Sequence, residues 1–183
     1  MPNYCDYEMK IKGSKSAITR VVRCLEADYN YSEGKPEHKH FFRVFEANYN
    51  EDEMEDNGNG TFTLLVYGYC AWSVWSCMCS GNHTYYSDLK ESHPDIFMGT
   101  DLYEQSEDCE IEVFSEEGGM GFSEHYLFKN GKCLIDNTEE LQQAGYTKQG
   151  KLTTHINWDT YDGDYISLNP NRENLTEEYC WVL

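Results

Sequence analysis

Hydrophobic and polar residues alternate along the first strand-sized segment of the chain. Every second residue from Cys5 to Ile11 is hydrophobic, and the residues between them are charged. A period of two is typical of a strand with one buried face, so the pattern predicts a strand over residues 4–12. Ser14 then follows as a suitable N-cap for a helix. The apolar face of that helix repeats at helical spacing and comprises Ile18, Val21, Val22 and Leu25.

The rest of the chain continues in short segments with strand and turn signals. Strands are predicted over residues 41–49, 61–69, 109–115, 122–128 and 132–135. A second helix is predicted from residue 71 to 79, and Pro94 makes its continuation through 85–97 uncertain. Residues 51–60 form an acidic hairpin tip, residues 116–121 a glycine-bearing turn, and Asn130-Gly131 a hairpin signal.

This order of elements, βαββαβ plus a further hairpin, predicts an α+β fold. The expected layout is the split βαβ, ferredoxin-like one, with helices on one face of an antiparallel sheet. The tail adds a predicted helix near 138–144 and a hairpin of 151–158 and 164–168 around Asp162-Gly163. We therefore expect a ferredoxin-like domain over residues 1–135. Residues 136–183 are expected to be a C-terminal hairpin extension packed on the same domain.

Composition indicates a folded protein rather than an acidic tail. The chain has 183 residues, of which 15% are aromatic, whereas disordered acidic segments are poor in aromatic residues. No run approaches the roughly 18 apolar residues of a membrane span. The N-terminus lacks the basic and apolar regions of a secretory signal, which predicts a cytoplasmic protein. In that compartment the eight cysteines stay reduced or bind metal.

The net charge of −19 is unevenly distributed along the sequence. Residues 44–128 contain eighteen acidic residues and a single base, Lys90, whereas residues 1–43 contain eight bases and six acids. A field of this sign repels nucleic acid and anionic membranes and attracts cationic surfaces. Solubility alone is the alternative explanation of the charge.

Several motifs give the chain a resemblance to a known family. They are the opening Met1-Pro2-Asn3-Tyr4-Cys5, then RVFEA at 43–47, GYCAWSVWSCM at 68–78 and EVFSEEGGMGFSEHY at 112–126. With these motifs, residues 1–135 resemble the YubB-type ferredoxin-like domains of phages, plasmids and bacteria. The resemblance implies the fold and a mobile-element setting in a bacterial host cell, and it assigns no chemistry. In size and acidity the chain is also similar to phage anti-CRISPR proteins, which is an analogy.

The charge distribution predicts a binding protein rather than an enzyme. We expect an inhibitor that docks on a basic protein surface and blocks nucleic-acid loading, without binding nucleic acid itself. An RNA-guided nuclease of a CRISPR system is the first target to consider, because its nucleic-acid channel is positively charged. Two groups of acids are the candidate partner-binding residues. The hairpin group is Glu51, Asp52, Glu53, Glu55 and Asp56, and the second group is Glu104, Glu107, Asp108, Glu110 and Glu112.

A structural zinc site is the alternative hypothesis, which leads to an accessory binding domain without an inhibitory role. In a ferredoxin-like layout the first and third strands are neighbours, so Cys5, Cys70, Cys77 and His125 are expected to converge. Three thiolates and one imidazole form a familiar zinc set. Rival sets are Cys77, Cys79 and His83, or the loop pair His38 and His40. The simpler interpretation is that the cysteines are small buried hydrophobic residues.

Catalytic templates are mostly missing from the sequence. It contains no phosphate-binding P-loop, no Gly-x-Ser-x-Gly turn and no His-Glu-x-x-His helix. A cysteine nucleophile activated by His125 is conceivable, although acidic surroundings would raise the pKa of a thiol. Among the aromatic residues, Tyr4, Tyr67, Tyr69, Trp72 and Trp75 are predicted to belong to the core. The candidates for exposed contact residues are Tyr85, Tyr86, Tyr161 and Tyr165.

Overall fold

Strand β1 (Tyr4–Gly13) is the central element of the protein. The computed structural model describes residues 3–26, 39–79 and 99–141, and the backbone of residues 142–146, 152–153, 165–168 and 181–182. β1 pairs antiparallel with β4 (Phe62–Ala71) on one side and with β5 (Cys109–Glu117) on the other. The hydrophobic residues from Cys5 to Ile11 are buried on one face, as their alternation predicts.

Four further strands complete the main sheet. β2 (Val44–Asn48) and the short β3 (Glu55–Asp56) both pair with β4. β6 (Phe122–Lys129) pairs with β5, and β7 (Lys132–Glu140) pairs with β6. The strand order is β2-β4-β1-β5-β6-β7 with β3 beside β4, and every pairing is antiparallel. The predicted α+β class is therefore confirmed as a mostly antiparallel sheet with few helices.

The helical segments pack together on one face of the sheet, which we call the inner face. Helix α1 (Lys15–Leu25) begins where Ser14 Oγ accepts a hydrogen bond from the Ala17 amide at 3.2 Å. It contacts the short helix α2 (Leu102–Gln105), which in turn contacts a π-helical turn at Trp75–Cys79. Their apolar side chains and the inward residues of β1, β4, β5 and β6 form one core. None of the described helices is long and apolar enough to cross a membrane.

The second predicted strand and the second predicted helix are shorter in the structure. The strand begins at Val44 because Phe41 and Phe42 leave the sheet and donate backbone hydrogen bonds to Cys24 and Cys77, both at 2.9 Å. The helix predicted from residue 71 is only a π-helical turn, since β4 continues to Ala71. Its predicted continuation through 85–97 lies outside the described residues.

The C-terminal region contains a second sheet, which differs from the prediction. It contains β8 (Gln142–Tyr146), β9 (Leu152–Thr153), β10 (Tyr165–Leu168) and β11 (Trp181–Val182) in the order β11-β10-β8-β9.

Two predictions for the tail are wrong. The helix near 138–144 is absent, because pairing of β7 with β6 and of β8 with β9 and β10 overrides the helix propensity of this segment. Of the hairpin predicted from 151–158 and 164–168, the structure describes only β9 and β10, and these two strands do not pair with each other because β8 lies between them. The predicted boundary after residue 135 falls inside β7, and the packing of the extension on the first domain stays a prediction.

We expect Gly68→Ala to destabilise the protein by about 2–4 kcal/mol, because β2 approaches β4 closely at this residue. A Cβ at Gly68 would overlap the backbone carbonyl oxygen of Glu46 and lie 2.7 Å from the Tyr7 hydroxyl. That hydroxyl already donates a hydrogen bond to the same carbonyl at 2.9 Å. Urea denaturation measures the effect, and Glu8→Ala at an exposed position of β1 should change stability by less than about 0.5 kcal/mol. Equal stability of Gly68→Ala and wild type would contradict this close approach.

Candidate functional site

The predicted acidic hairpin is an ordered protrusion from the edge of the main sheet. Residues Glu51–Glu53 form a single 3₁₀ turn, and Asn50 caps it by accepting a hydrogen bond from the Asp52 amide at 3.1 Å. β3 then pairs with the beginning of β4, Glu55 opposite Thr63. The chain reverses through Gly58 and Gly60, whose φ angles of 78° and 79° favour glycine.

The five acidic side chains of this hairpin all face solvent. Glu51, Asp52, Glu53, Glu55 and Asp56 are exposed, and none is in an ion pair within the described parts of the chain. Glu53 and Asp56 also accept hydrogen bonds from Asn50 and from the Gly58 amide, at 3.0 and 2.8 Å. The hairpin thus presents a fixed cluster of uncompensated negative charge.

The second predicted group of acids is largely neutralised by bases from the two ends of the chain. Four of its five members are ion-paired: Glu104 with Lys39, Asp108 with Arg20, Glu110 with Lys129 at 2.8 Å, and Glu112 with Lys10 at 2.9 Å. Glu107 is exposed. A role of this group in partner binding stays a prediction, but its net charge is much smaller than the sequence suggests.

These ion pairs shift the pKa values of the carboxyl groups. The hydrogen bond from Arg20 is the main reason that the pKa of Asp108 is below its usual range. For Glu104 and Glu112, partial burial alone would raise the pKa. Hydrogen bonds from Lys39 to Glu104, and from Lys10 and His125 to Glu112, outweigh this effect and lower both pKa values. All three groups are therefore ionised and compensated at neutral pH.

Three acids of the segment 44–128, which the sequence analysis counts toward an acidic surface, are buried in the structure. Glu116, Glu117 and Glu124 are 7%, 2% and 5% exposed. Glu117 closes the predicted turn after β5 by accepting hydrogen bonds from the Gly119 and Met120 amides. These three carboxylates contribute to structure within the domain, so the expected coherent acidic face is reduced to a smaller area.

Glu124 connects strand β6 to the π-helical turn. Its carboxylate accepts a hydrogen bond from the Val74 amide at 2.8 Å and lies 3.4 Å from the Trp75 amide, at the start of the turn. The hydroxyls of Ser115 and Tyr126 donate to it as well, at 2.7 and 3.0 Å. A buried carboxylate with four donors caps the amide groups that a helical segment leaves unpaired.

The predicted zinc set is only partly assembled. Cys5 and Cys70 are directly opposite each other in the β1–β4 pair, as expected. The thiols of Cys5 and Cys77, together with burial, raise the pKa of Cys70. His125, however, lies on the other face of the sheet, where it stacks on Phe114 at 4.0 Å and contacts Glu112 at 3.1 Å.

No group of three or more His, Cys, Asp or Glu side chains forms a metal-binding arrangement in the described residues. Of the rival sets, His83 and His38 lie outside these residues, whereas Cys79 and His40 are buried. Zinc binding by this protein stays a prediction.

Most of the described cysteines are buried thiols. All seven are free, and all but Cys133 are buried. Burial raises the pKa of Cys24 to about 12 and that of Cys109 to about 11, and it also raises the pKa of Cys79. Thiolate is the nucleophilic form, so these residues remain weakly nucleophilic thiols at neutral pH.

The aromatic residues that the sequence assigns to the core are largely on the surface. Tyr4, Tyr67, Trp72 and Trp75 are exposed, so this prediction is wrong for them. Successive side chains of a strand point to opposite faces of the sheet. Tyr4 therefore faces solvent because its neighbour Cys5 is buried, and Tyr67 faces solvent because its neighbour Val66 is buried. Of the predicted contact residues, Tyr85, Tyr86 and Tyr161 lie outside the described residues, and only the backbone of Tyr165 is described.

Two of the surface cavities lie beside acids described above, and the larger of these two, of about 890 Å³, lies between α1 and α2. It is lined by Arg20 and Lys39, but Asp108 and Glu104 pair with these two bases. The smaller, of about 460 Å³, lies beside Glu124. Four donors already saturate that carboxylate. Of the acids that line these cavities, Glu107 and Asp136 are exposed and belong to no ion pair between described residues.

Comparisons with known proteins assign the chain to no family. No family model matches it, and neither a curated protein nor a solved structure matches it.

We expect Glu124→Gln to destabilise the protein by about 2–4 kcal/mol, because the amide removes the charge that accepts four hydrogen bonds and adds donors. Chemical denaturation monitored by tryptophan fluorescence measures the change. Glu140→Gln makes the same chemical change at an exposed position of β7 and should have almost no effect. Similar losses for the two variants would mean that Glu124 is not a structural cap.

Alkylation of the seven described cysteines with iodoacetamide in the native protein should be slow at neutral pH, because six of them are buried. Among the seven described cysteines we expect Cys133 to react first, since it alone is partly exposed. Peptide mass spectrometry of time points identifies the modified residue. Rapid labelling of Cys5, Cys70 or Cys77 would reveal an activated thiol and would revive the hypothesis of a cysteine-dependent enzyme.

Proposed function

We propose that this protein is an inhibitor that docks its acidic hairpin on a basic surface of another protein. The observation that carries this proposal is the exposure of five carboxylates at one protrusion, without ion pairs in the described parts of the chain. Four acids of the second group are ion-paired and Glu116, Glu117 and Glu124 are buried. The hairpin instead gathers five exposed acids within six residues, so it is where a partner's cations are most strongly attracted. Basic surfaces of this kind normally hold nucleic acid.

The mechanism that we propose is competition with nucleic acid. A cluster of carboxylates on a fixed turn presents negative charge of the kind that a nucleic-acid channel attracts. Because the turn is ordered by its own hydrogen bonds, little conformational entropy is lost when it binds. Occupied by the hairpin, the channel no longer loads its natural ligand.

We also propose a ferredoxin-like fold and membership of the YubB-type family. The antiparallel order β2-β4-β1-β5, with α1 between β1 and β2, supports a split βαβ arrangement. The sequence motifs quoted above support the family and a phage or plasmid origin. On this basis we place the protein in the bacterial cytoplasm and choose a CRISPR RNA-guided nuclease as the first target.

The test reverses charge at two hairpin acids whose side chains accept no hydrogen bond from a described residue. We expect Glu51→Lys with Glu55→Lys to raise the concentration needed to inhibit target-DNA cleavage by at least about tenfold, through repulsion by the basic channel. Asp136→Lys with Glu140→Lys is the matched control, because both acids are exposed on β7 and the net charge changes equally. The measurement is DNA cleavage by the nuclease at increasing inhibitor concentration.

Inhibition by the wild-type protein should weaken when the salt concentration rises, because exposed charge pairs are screened. Equal loss of inhibition in the hairpin and control variants would show that net charge, rather than this hairpin, drives binding. Absence of binding to any basic nucleic-acid-binding protein would overturn the proposal itself.

A further inference from the structure

The outer face of the main sheet, opposite the inner face, carries a cluster of exposed aromatic rings at one end. Tyr4 is 54% exposed, Phe45 42% and Tyr67 49%. Tyr4 contacts Phe45 and Tyr69 edge to face, with centroids 5.7 and 5.3 Å apart, and Phe45 lies 6.1 Å from Tyr69. The cluster spans β2, β4 and β1, so it sits on rigid backbone rather than on a loop. Tyr67 is two residues before Tyr69 on the same face of β4. We call Tyr4, Phe45, Tyr67 and Tyr69 the aromatic cluster.

Carboxylates lie directly among these rings. Strand register places Asp6 opposite Tyr69 and Glu8 opposite Tyr67, and Glu46 is also opposite Tyr69 on the other edge of β4. None of the three acids forms an ion pair with another described residue. Partial burial raises the pKa of Asp6. A positive charge arriving at this surface would therefore be stabilised.

An arginine side chain of the protein itself already stacks on an aromatic ring near this surface. The guanidinium of Arg43 lies over the Trp72 ring, 4.2 Å from its centroid. Trp72 follows β4 at the same end of the sheet, and its amide donates to the carbonyl of Asn3, next to Tyr4. Both Arg43 and Trp72 have positive φ angles, 50° and 65°, which are unfavourable for residues other than glycine. Such strain is typical of sites where a specific side-chain position is required.

We propose that the aromatic cluster, with Asp6, Glu8 and Glu46, is a docking surface for arginine side chains of a basic protein segment. Aromatic faces attract guanidinium groups, which can stack on a ring and pair with a neighbouring carboxylate at the same time. The three acids repel nucleic acid and a second copy of the same face. This inference rests on the proposed function, in which the partner is basic, and adds a second surface with a different chemical preference.

A pair of matched peptides tests the inference. One peptide alternates arginine with glycine, and the other replaces every arginine with lysine, so both carry the same charge. We expect the wild-type protein to bind the arginine peptide about threefold to tenfold more tightly, because lysine stacks on aromatic rings less well. Fluorescence anisotropy of labelled peptides measures both dissociation constants.

Variants locate the preference on the aromatic cluster. Tyr67→Ala should abolish the preference for arginine, whereas Tyr67→Phe retains the ring and should keep it. Glu8→Lys should weaken binding of both peptides. The hairpin variant Glu51→Lys with Glu55→Lys should weaken both peptides equally and leave their ratio unchanged. Circular dichroism of each variant establishes that it is folded.

Two results would overturn the inference: equal affinity of wild-type protein for the two peptides, or a preference for arginine that survives in folded Tyr67→Ala. Failure of the proposed function is a different result. In that case the arginine preference and its loss in Tyr67→Ala remain, while the hairpin variant inhibits the nuclease as well as wild type does.

Discussion

The pairing of β1 along both of its edges is the interaction on which the other features depend. All ten residues of β1 pair with β4, and those from Asp6 onward also pair with β5. These ladders place Cys5 against Cys70 on the inner face and Lys10 against Glu112 on the outer face. They also fix where β4 begins and ends, and therefore where the acidic hairpin and the aromatic cluster lie. The two surfaces are at opposite ends of the same strand.

Local patterns in the sequence predicted most strands of the main sheet, but not the short β3 or the full length of β7. The alternation in β1, the Ser14 cap and the glycine-bearing turns all reflect short-range physics, and the structure has each of them. Prediction failed where distant pairing decides the conformation. The segment after residue 138 has helix-forming residues, yet it forms strands because β6 and β10 offer hydrogen-bonding partners. No local pattern reveals such partners.

The candidate site was predictable to a similar extent. The exposed hairpin follows from its turn residues, and the contact between Cys5 and Cys70 follows from the expected order of strands. His125 lies on the outer face because side chains alternate along β6 and its neighbours Tyr126 and Phe128 are on the buried side of that alternation. Likewise, ion pairs such as Lys129 with Glu110 join neighbouring strands. A count of charges along the chain cannot identify them, so it overestimates the acidic surface.

The cap that Glu124 supplies has a consequence for synthesis of the chain. Its carboxylate meets the Val74 amide across fifty positions of sequence. On the ribosome the turn after β4 emerges long before β6, so this turn lacks its cap while the first half of the protein is being made. Domains fold as units, and long-range contacts of this kind delay completion. A nascent chain that stops before residue 124 would therefore expose the amides of that turn and the core beneath it to chaperones.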